Sequence, residues 1–584
     1  MINIQYNKDD LRYIFITGDK IHTDILEATM NKIPDYMFLP AFKGVPKPEI
    51  FLNKFRHRDT KQIIYYTYSG LWKYVVDFCA SNNIECNTLD SYFKYSQFHS
   101  DIGSLDNFIE YVNSWNMNLT PYDYQYKAAW LILNYRQSLS QLATRAGKTL
   151  IAYMVFRYAL EHGAHNILMI VPSRPLVRQA VADMQKFKEF FTTETVWSGG
   201  ELCEGSNLTI GTFQSLVKRF DKKSTKYDPD FFNKFDIVCC DEAHTAKCES
   251  IKTILQQNFM KNVKVRFGFS GSLPKDETIE AFACGSLLGP MIQDVRSYEL
   301  IDRGFISDVR ISQYYIEYKE NIELYDNYIR CAEYLCSEYV NDENKEHILL
   351  PKDEREFTIQ HVKRMPVALK HIKNEIIKES KTMGLNDDER ELYWREKYVD
   401  YLYSICKQTG SNALLLEQML VHRSQARIRL IDRLLSSFKK NSIVFAHHTE
   451  YLKMLHDYFK ALYPNRNVYM IHGGTTTKKR EQIIANLEKD TDAILFASYA
   501  CIGTGLTLRN LDYGIFAQSF RSEIINKQSL GRGLMLAEDK EYYQLYDIID
   551  VFPTKRIYRQ GLDKKRLYAE EKFTFNIHKV VDTF

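Results

Sequence analysis

The chain has 584 residues, a formal net charge of +3, 45% hydrophobic and 26% charged residues. That balance excludes a disordered or fibrous chain and, at about 100–200 residues per domain, predicts three or four domains; a charge this small neither requires nor excludes a polyanionic partner, so any basic surface is local. The 11 cysteines form no CxxC pair, MINIQYNKDD has no apolar signal core, and no run is long enough for a membrane helix, so a cytoplasmic protein without membrane or zinc is expected.

Four regions follow in chain order. Residues 1–105 are short aromatic-rich runs such as IIYYTYSGLWKYVVDFC. Residues 106–310 alternate apolar runs (NILMIVPSR, FDIVCCDEAH, VRFGFSGS) with helical patterns, which predicts a doubly wound parallel sheet. Residues 311–438 lack such runs and read as a charged, Leu/Tyr-rich helical insertion, with a helix start near Asp387 and Asp388. Residues 439–584 return to the alternation in SIVFAHH, VYMIHGG, AILFASY and YGIFAQS and end in a helical tail. The expected class is therefore α/β, with two lobes of one architecture.

Chemistry concentrates first at QLATRAGKTLIAYMVFRYAL. Gly147-Lys148-Thr149 follows an apolar run and opens an amphipathic helix. Glycine lets a phosphate approach the backbone, N–H groups at a helix start hold anionic oxygens, a lysine supplies charge to the β- and γ-phosphates, and a threonine hydroxyl can ligate Mg²⁺. The loop Thr144, Arg145, Ala146, Gly147, Lys148 and Thr149 is thus a candidate site for ATP. Leu142 stands where the full phosphate-loop pattern has another glycine. The second concentration is FDIVCCDEAHTA, a strand ending in Asp241 and Glu242. Asp241 can hold Mg²⁺ together with Thr149, and Glu242 can orient and deprotonate an attacking water.

With these two motifs in order, the chain resembles the DExH helicases of superfamily 2. The resemblance implies two RecA-like lobes, a small N-terminal α+β domain, ATP and Mg²⁺ as cofactors, and further roles by position. Gln125 in Tyr124-Gln125 resembles the glutamine that reads adenine. VPSRPLVRQ (171–179) and GTFQS (211–215) resemble nucleic-acid-contacting segments, which assigns Arg174, Gln179, Thr212 and Gln214 to a strand backbone. Ser270-Gly271-Ser272 resembles the segment that couples the nucleotide to the nucleic acid. In the second lobe the resemblance assigns His447 and Ser498 to nucleic acid, Gly505 to the nucleotide, and Gln528 and Arg532 of QSLGRG to the ATP from across the cleft. Met535 stands where the family has a second arginine.

Outside these motifs, FGFSGSL, ASYACIGTGLTLRNL, LYDIID and the tail RQGLDKKRLYAEEKF resemble a DNA-remodelling phage branch of the family. In the N-terminal region Lys43, Lys47, Lys54, Arg56, Arg58 and Lys61 sit among aromatics; Lys54 and Arg56 are candidates to neutralise phosphates, against the alternative of a solvated strand face. In the tail, Lys564, Lys565 and Arg566 are weighed in the same way, and Leu562, Leu567, Tyr568 and Phe573 have the spacing of a helix docked on the second lobe. The implied activity is an ATP-dependent DNA helicase or translocase that unwinds, reanneals or branch-migrates forks, displacement loops and Holliday junctions in recombination, repair and replication restart. A monomer is expected, with recombination or single-strand-binding proteins as candidate partners. Two alternatives stay open: an enzyme acting on RNA or RNA–DNA hybrids, and an ATP-gated DNA-binding protein with little turnover.

Overall fold

The computed structural model describes residues 1–7, 9–33, 47–88, 94–197, 205–274, 278–318, 321–341, 365–408, 418, 421–422, 424–502, 510–519, 526, 529–531, 540–552 and 556–581. They divide into two compact units, Met1–Arg303 and Gly304–Phe584. None of the described helices is long and apolar enough to cross a membrane.

The first unit opens with a mixed sheet of β1 (Ile2–Tyr6), β2 (Tyr13–Gly18), β3 (Leu52–Arg56), β4 (Ile63–Tyr68) and β5 (Cys86–Thr88), in the order β3-β4-β2-β1-β5. Period-two alternation turns Ile2, Ile4, Tyr6, Ile14 and Ile16 to one face, where the helices Lys20–Met30 and Trp72–Ser81 cover them with Leu26, Met30, Val75 and Phe78. Phe282 and Ala283, from the helix Ile279–Leu288 of the following lobe, complete the same core. This sheet is therefore seated on the first lobe.

That lobe is a seven-stranded sheet of β6 (Gln137–Leu142), β7 (Ile167–Val171), β8 (Thr193–Val196), β9 (Leu208–Thr212), β10 (Ile237–Asp241), β11 (Val265–Ser270) and β12 (Met291–Val295), ordered β12-β6-β11-β10-β7-β9-β8. Every pairing in it is parallel. Strands β6, β7, β9 and β11 are buried along their whole length, as a sheet covered on both faces requires.

The second unit carries another seven-stranded parallel sheet: β13 (Asp308–Glu317), β14 (Ser442–Ala446), β15 (Val468–Ile471), β16 (Ile494–Ser498), β17 (Tyr513–Phe516), β18 (Tyr542–Val551) and β19 (Thr574–Val581), ordered β15-β16-β14-β17-β18-β13-β19. Here the sequence expectation needs correction. The segment from 311 was expected to lack strands, yet β13 runs ten residues between β18 and β19. Its inward positions include Gln313, fully buried, whose Nε2 donates to Asp547 Oδ2 at 3.1 Å. A polar side chain at a core position hid the alternation.

The insertion is helical: Ile322–Asn341, Met365–Thr382, Asp387–Gln408 and Gln425–Ser437. The third helix starts at Asp387 as expected, closed by reciprocal bonds between Asn386 and Glu389 (2.9 and 3.0 Å). Tyr325, Tyr328, Tyr398 and Leu402 share one core with Ile548, Phe552 and Ile557, so these helices belong to the second lobe's interior. In the tail helix Arg556–Glu570, Leu567, Tyr568 and the following Phe573 are buried and Leu562 is half-buried. Lys564, weighed above as a surface charge, is 2% exposed and pairs with Asp547. Its burial corrects that reading, because a lone buried Asp547 carboxylate needs a cation.

Candidate functional site

Strands β6, β11 and β10 are neighbours in the first lobe, so their carboxyl ends bring the Thr144–Thr149 loop, Ser270 and Asp241 to one edge of the sheet. A parallel sheet exposes its ligand-binding loops at that edge. The loop needs two left-handed residues: Gly147 at φ 77° and Arg145 at φ 76°, the latter a cost of about 1–2 kcal/mol for a residue with a Cβ. A Cβ at Gly147 would also run into Gln125 Nε2. The helix Lys148–Glu161 starts directly after it, with Thr149 half-buried in its first turn.

Gln125 was expected at the adenine. The structure puts both of its polar ends to use within the chain: Oε1 accepts the N–H of Tyr122 (2.8 Å) and Nε2 donates to the carbonyl of Ala146 (3.0 Å), which also accepts from the Tyr124 hydroxyl (3.0 Å). Gln125 and Tyr124 thus brace the phosphate loop from behind. Gly271 lies against the same loop, a Cβ there reaching 3.4 Å from Thr144 Oγ1.

Lys148 Nζ stands 3.3 Å from Glu242 Oε1, both side chains 18% exposed. Glu242 is left-handed (φ 53°), its N–H donates to Asp241 Oδ1 (3.0 Å), and its carbonyl accepts from Thr245 Oγ1 (2.7 Å). His244 Nδ1 lies 2.9 Å from Ser270 Oγ and 3.3 Å from Glu242 Oε2. The Ser270 hydroxyl donates to the Ser272 carbonyl (2.9 Å), so it accepts from His244, and the network assigns the proton to Nδ1. The two carboxyls part company in their acidity. Burial, partly opposed by Lys148, pushes Asp241 up to about 6. Burial acts on Glu242 too, but Lys148 and His244 outweigh it and hold that group down to about 2. The Lys148 charge thus offsets only part of the burial of Asp241 and outweighs that of Glu242 together with His244. A divalent ion taking the Asp241 carboxylate and the Thr149 hydroxyl, with phosphate and water oxygens for the rest, fits this donor set.

The other predicted residues of this lobe lie on the same edge. Val171 pairs with Thr212, so the segments after β7 and β9 emerge side by side. Gln214 Nε2 donates to the Pro172 carbonyl (3.4 Å), Thr212 Oγ1 to Ser215 Oγ (3.0 Å), and Gln179 Nε2 reaches Asp183 (3.5 Å) on its own helix, Arg174–Phe187. Arg174 and Arg178 both stack on Trp197, at 5.7 and 5.1 Å from its ring. Trp197 escaped sequence reasoning, since nothing in its surroundings marks it as a partner for a segment 20 residues earlier.

In the second lobe, Ala446 pairs with Ser498, which sets His447 and the buried Ser498 at adjoining strand ends. The N–H groups of His447 and His448 donate to Gln518 Oε1 (2.8 and 3.0 Å), and burial lowers the pKa of both rings, which favours their neutral form. Gln518 was not singled out in the sequence. Gly505, Gln528, Arg532 and Met535 lie outside the described residues. Lys54 and Arg56 are on the N-terminal sheet, apart from the loop site; Lys54 pairs with Glu27 (2.7 Å) and Arg56 Nε donates to the Lys61 carbonyl (3.0 Å).

Residues 116–275 match the family "Type III restriction enzyme, res subunit" and residues 426–534 the "Helicase conserved C-terminal domain". The chain is similar to the ATP-dependent DNA helicase uvsW of Enterobacteria phage T4, 24% identical over 445 residues, or 75% of this chain and 70% of that protein. The crystal structure of T4 UvsW aligns over 99% of both chains at 19% identity and a TM-score of 0.41. A fragment of an HsdR subunit of a type I restriction enzyme from Vibrio vulnificus aligns over 80% of this chain and 70% of its own, at 14% identity and a TM-score of 0.47.

Proposed function

We propose, for a chain that belongs to the superfamily 2 helicases and is similar to the phage T4 helicase uvsW, an ATP-driven motor that moves on DNA and remodels branched structures such as forks, displacement loops and Holliday junctions. The observation that carries this reading is the meeting of Lys148, Asp241, Glu242 and the His244–Ser270 bond at the ends of three adjoining strands. Recombination, repair and replication restart are the processes that such an activity serves.

In this reading Lys148 leaves Glu242 for the β- and γ-phosphates when ATP binds, and Thr149 and Asp241 would hold Mg²⁺, which would supply positive charge against the phosphates. Glu242, freed and ionised, accepts a hydrogen bond from the attacking water and takes its proton. His244 carries the state of Glu242 to Ser270 through one shared N–H. Gly505, Gln528 and Arg532 are assigned to the nucleotide by family pattern alone. Arg174, Gln179, Thr212, Gln214, His447 and Ser498 are proposed to face a strand backbone, and Lys54 and Arg56 to neutralise phosphates from the N-terminal domain. The proposed domains are 1–105, 106–310, 311–438 and 439–584, in a monomer.

The test is ATP hydrolysis measured with forked DNA, blunt duplex, RNA duplex and RNA–DNA hybrid, on the wild-type chain and Lys148→Ala. Stimulation greatest on forked DNA and lost in Lys148→Ala is expected. Turnover indifferent to every nucleic acid would sink the motor, and stimulation by RNA alone would move the substrate.

A further inference from the structure

The N-terminal sheet has a second face that its two helices leave uncovered. The alternation that buries Ile14, Ile16, Tyr65 and Thr67 turns Tyr13, Phe15, Tyr66 and Tyr68 the other way. Strand register places Asn53, Tyr66, Phe15 and Gln5 in one row across β3, β4, β2 and β1. The rings join into a continuous run over three strands: Tyr68 to Tyr13 at 5.1 Å between centroids, Tyr13 to Tyr66 at 5.9 Å, Tyr66 to Phe55 at 6.0 Å, and Phe55 to Phe15 at 6.0 Å. Phe55 is 41% exposed and the other four are half-buried. One end of the run is anchored on the first lobe, where Gln256 Nε2 donates to the Tyr68 hydroxyl (3.1 Å) and Arg12 to the Gln256 carbonyl (2.5 Å).

The composition of this face selects its occupant. Its outward positions on β1 to β4 carry no carboxylate, and Ile64 is its single aliphatic side chain. Rings flanked by the amides of Gln5 and Asn53 offer stacking surface to bases and polar atoms to their edges, and the lack of a carboxylate at these positions suits a polyanion. The turn between β3 and β4, which follows Phe55 along the chain, carries exposed Arg58 and Lys61 with one exposed carboxylate, Asp59, a net positive charge suited to a phosphate backbone. We propose that this face is a stacking platform for the bases of a single nucleic-acid strand. The inference rests on the nucleic-acid reading above and adds to it a single-strand site on the face opposite Lys54.

The test uses the full chain and the fluorescent oligonucleotides dT12 and rU12, with a blunt DNA duplex as comparator. Phe55→Leu/Tyr66→Leu keeps apolar bulk and removes two π-faces; its affinity for the single strands should fall at least ~10-fold, with duplex affinity unchanged. Phe55→Trp/Tyr66→Phe keeps the rings and should keep the affinity. Unchanged single-strand binding in the Leu pair overturns the platform, as does equal loss in both pairs, which would mark a structural role. A Leu pair that binds oligonucleotide normally but changes its mass in solution makes the face a protein contact and also overturns it. A wild-type chain that binds dT12 through these rings while its ATPase ignores nucleic acid would sink the motor and leave the platform standing.

Discussion

Each unit buries acidic groups beside cations, and the two do so in opposite ways. In the second unit, Asp550 and Arg427 are both 0% exposed and bonded to each other. Arg427 also reaches the Tyr451 hydroxyl (3.1 Å) and the Ala517 carbonyl, and the Tyr318 hydroxyl donates to Asp550 (2.7 Å). Asp547 is enclosed likewise by Lys564, Tyr568 (3.0 Å) and Gln313 (3.1 Å). In the first unit, Lys148 meets Glu242 at a loose 3.3 Å and Asp241 receives only the backbone N–H of its neighbour. A network of fully buried partners commits its charges to holding the fold, even where Asp550 Oδ2 accepts no hydrogen bond among the described residues. An open one keeps electrostatic capacity for something that arrives.

Substitutions can break that contrast. The largest effect is expected from Glu242→Gln, which should lower turnover by roughly 10²–10⁴-fold while the thermal midpoint stays close to wild type. Wild-type turnover would remove Glu242 from the chemistry. Next comes Asp550→Ala, which strands the Arg427 guanidinium and should cost about 3–5 kcal/mol in denaturant unfolding; a loss below 1 kcal/mol would show that the pair contributes little. Asp241→Asn should have the reverse sign in the nucleotide-free protein. The folded Asp241 binds its proton more tightly than an unfolded aspartate, up to about 6 against 3.8, so its ionisation costs stability as pH rises between those values. Asp241→Asn should therefore melt above wild type at pH 7.5, with the gap closing by pH 4, and yet be inactive. A midpoint below wild type at pH 7.5 would contradict the open-site picture. Gln125→Ala removes a helix cap and a brace on Ala146 and should raise the KM for ATP several-fold, with a stability loss of about 1 kcal/mol. The smallest effect is assigned to Ser270→Ala, which deprives His244 of an acceptor: a drop of less than about tenfold in nucleic-acid-stimulated turnover, from one hydrogen bond.

The closed and open sites also differ in how far they could be read beforehand. Lys148, Asp241 and Glu242 were legible because Asp241 ends a buried strand, Glu242 follows it, and Lys148 opens a helix one short loop after another buried strand, and chain order near a strand end fixes position in space. Arg427, Asp547, Asp550 and Lys564 were not, because the partners of each pair lie on different elements and only the fold brings them together. Lys564 looked like one more charge in DKKR. The same limit hid β13, recognised only when Asp547 explains a buried glutamine, and Trp197, whose use depends on the arginines of a separate helix. Gln125 was singled out by its family pattern, but its cap on Tyr122 and its bond to Ala146 are local geometry that no pattern records.

Strand β13 has a consequence for how the chain reaches this state. Its Gln313 bonds Asp547 across 234 positions of sequence, and both of its sheet neighbours, β18 and β19, come from the last part of the chain. The first lobe's sheet draws its seven strands from Gln137 to Val295 alone. During synthesis, amino-terminal folding units generally form first, and long-range strand pairing is slow. The ribosome would thus release a finished nucleotide-binding lobe well before β13 finds its place, leaving that strand's hydrogen-bonding edges exposed until the final helix and strand emerge.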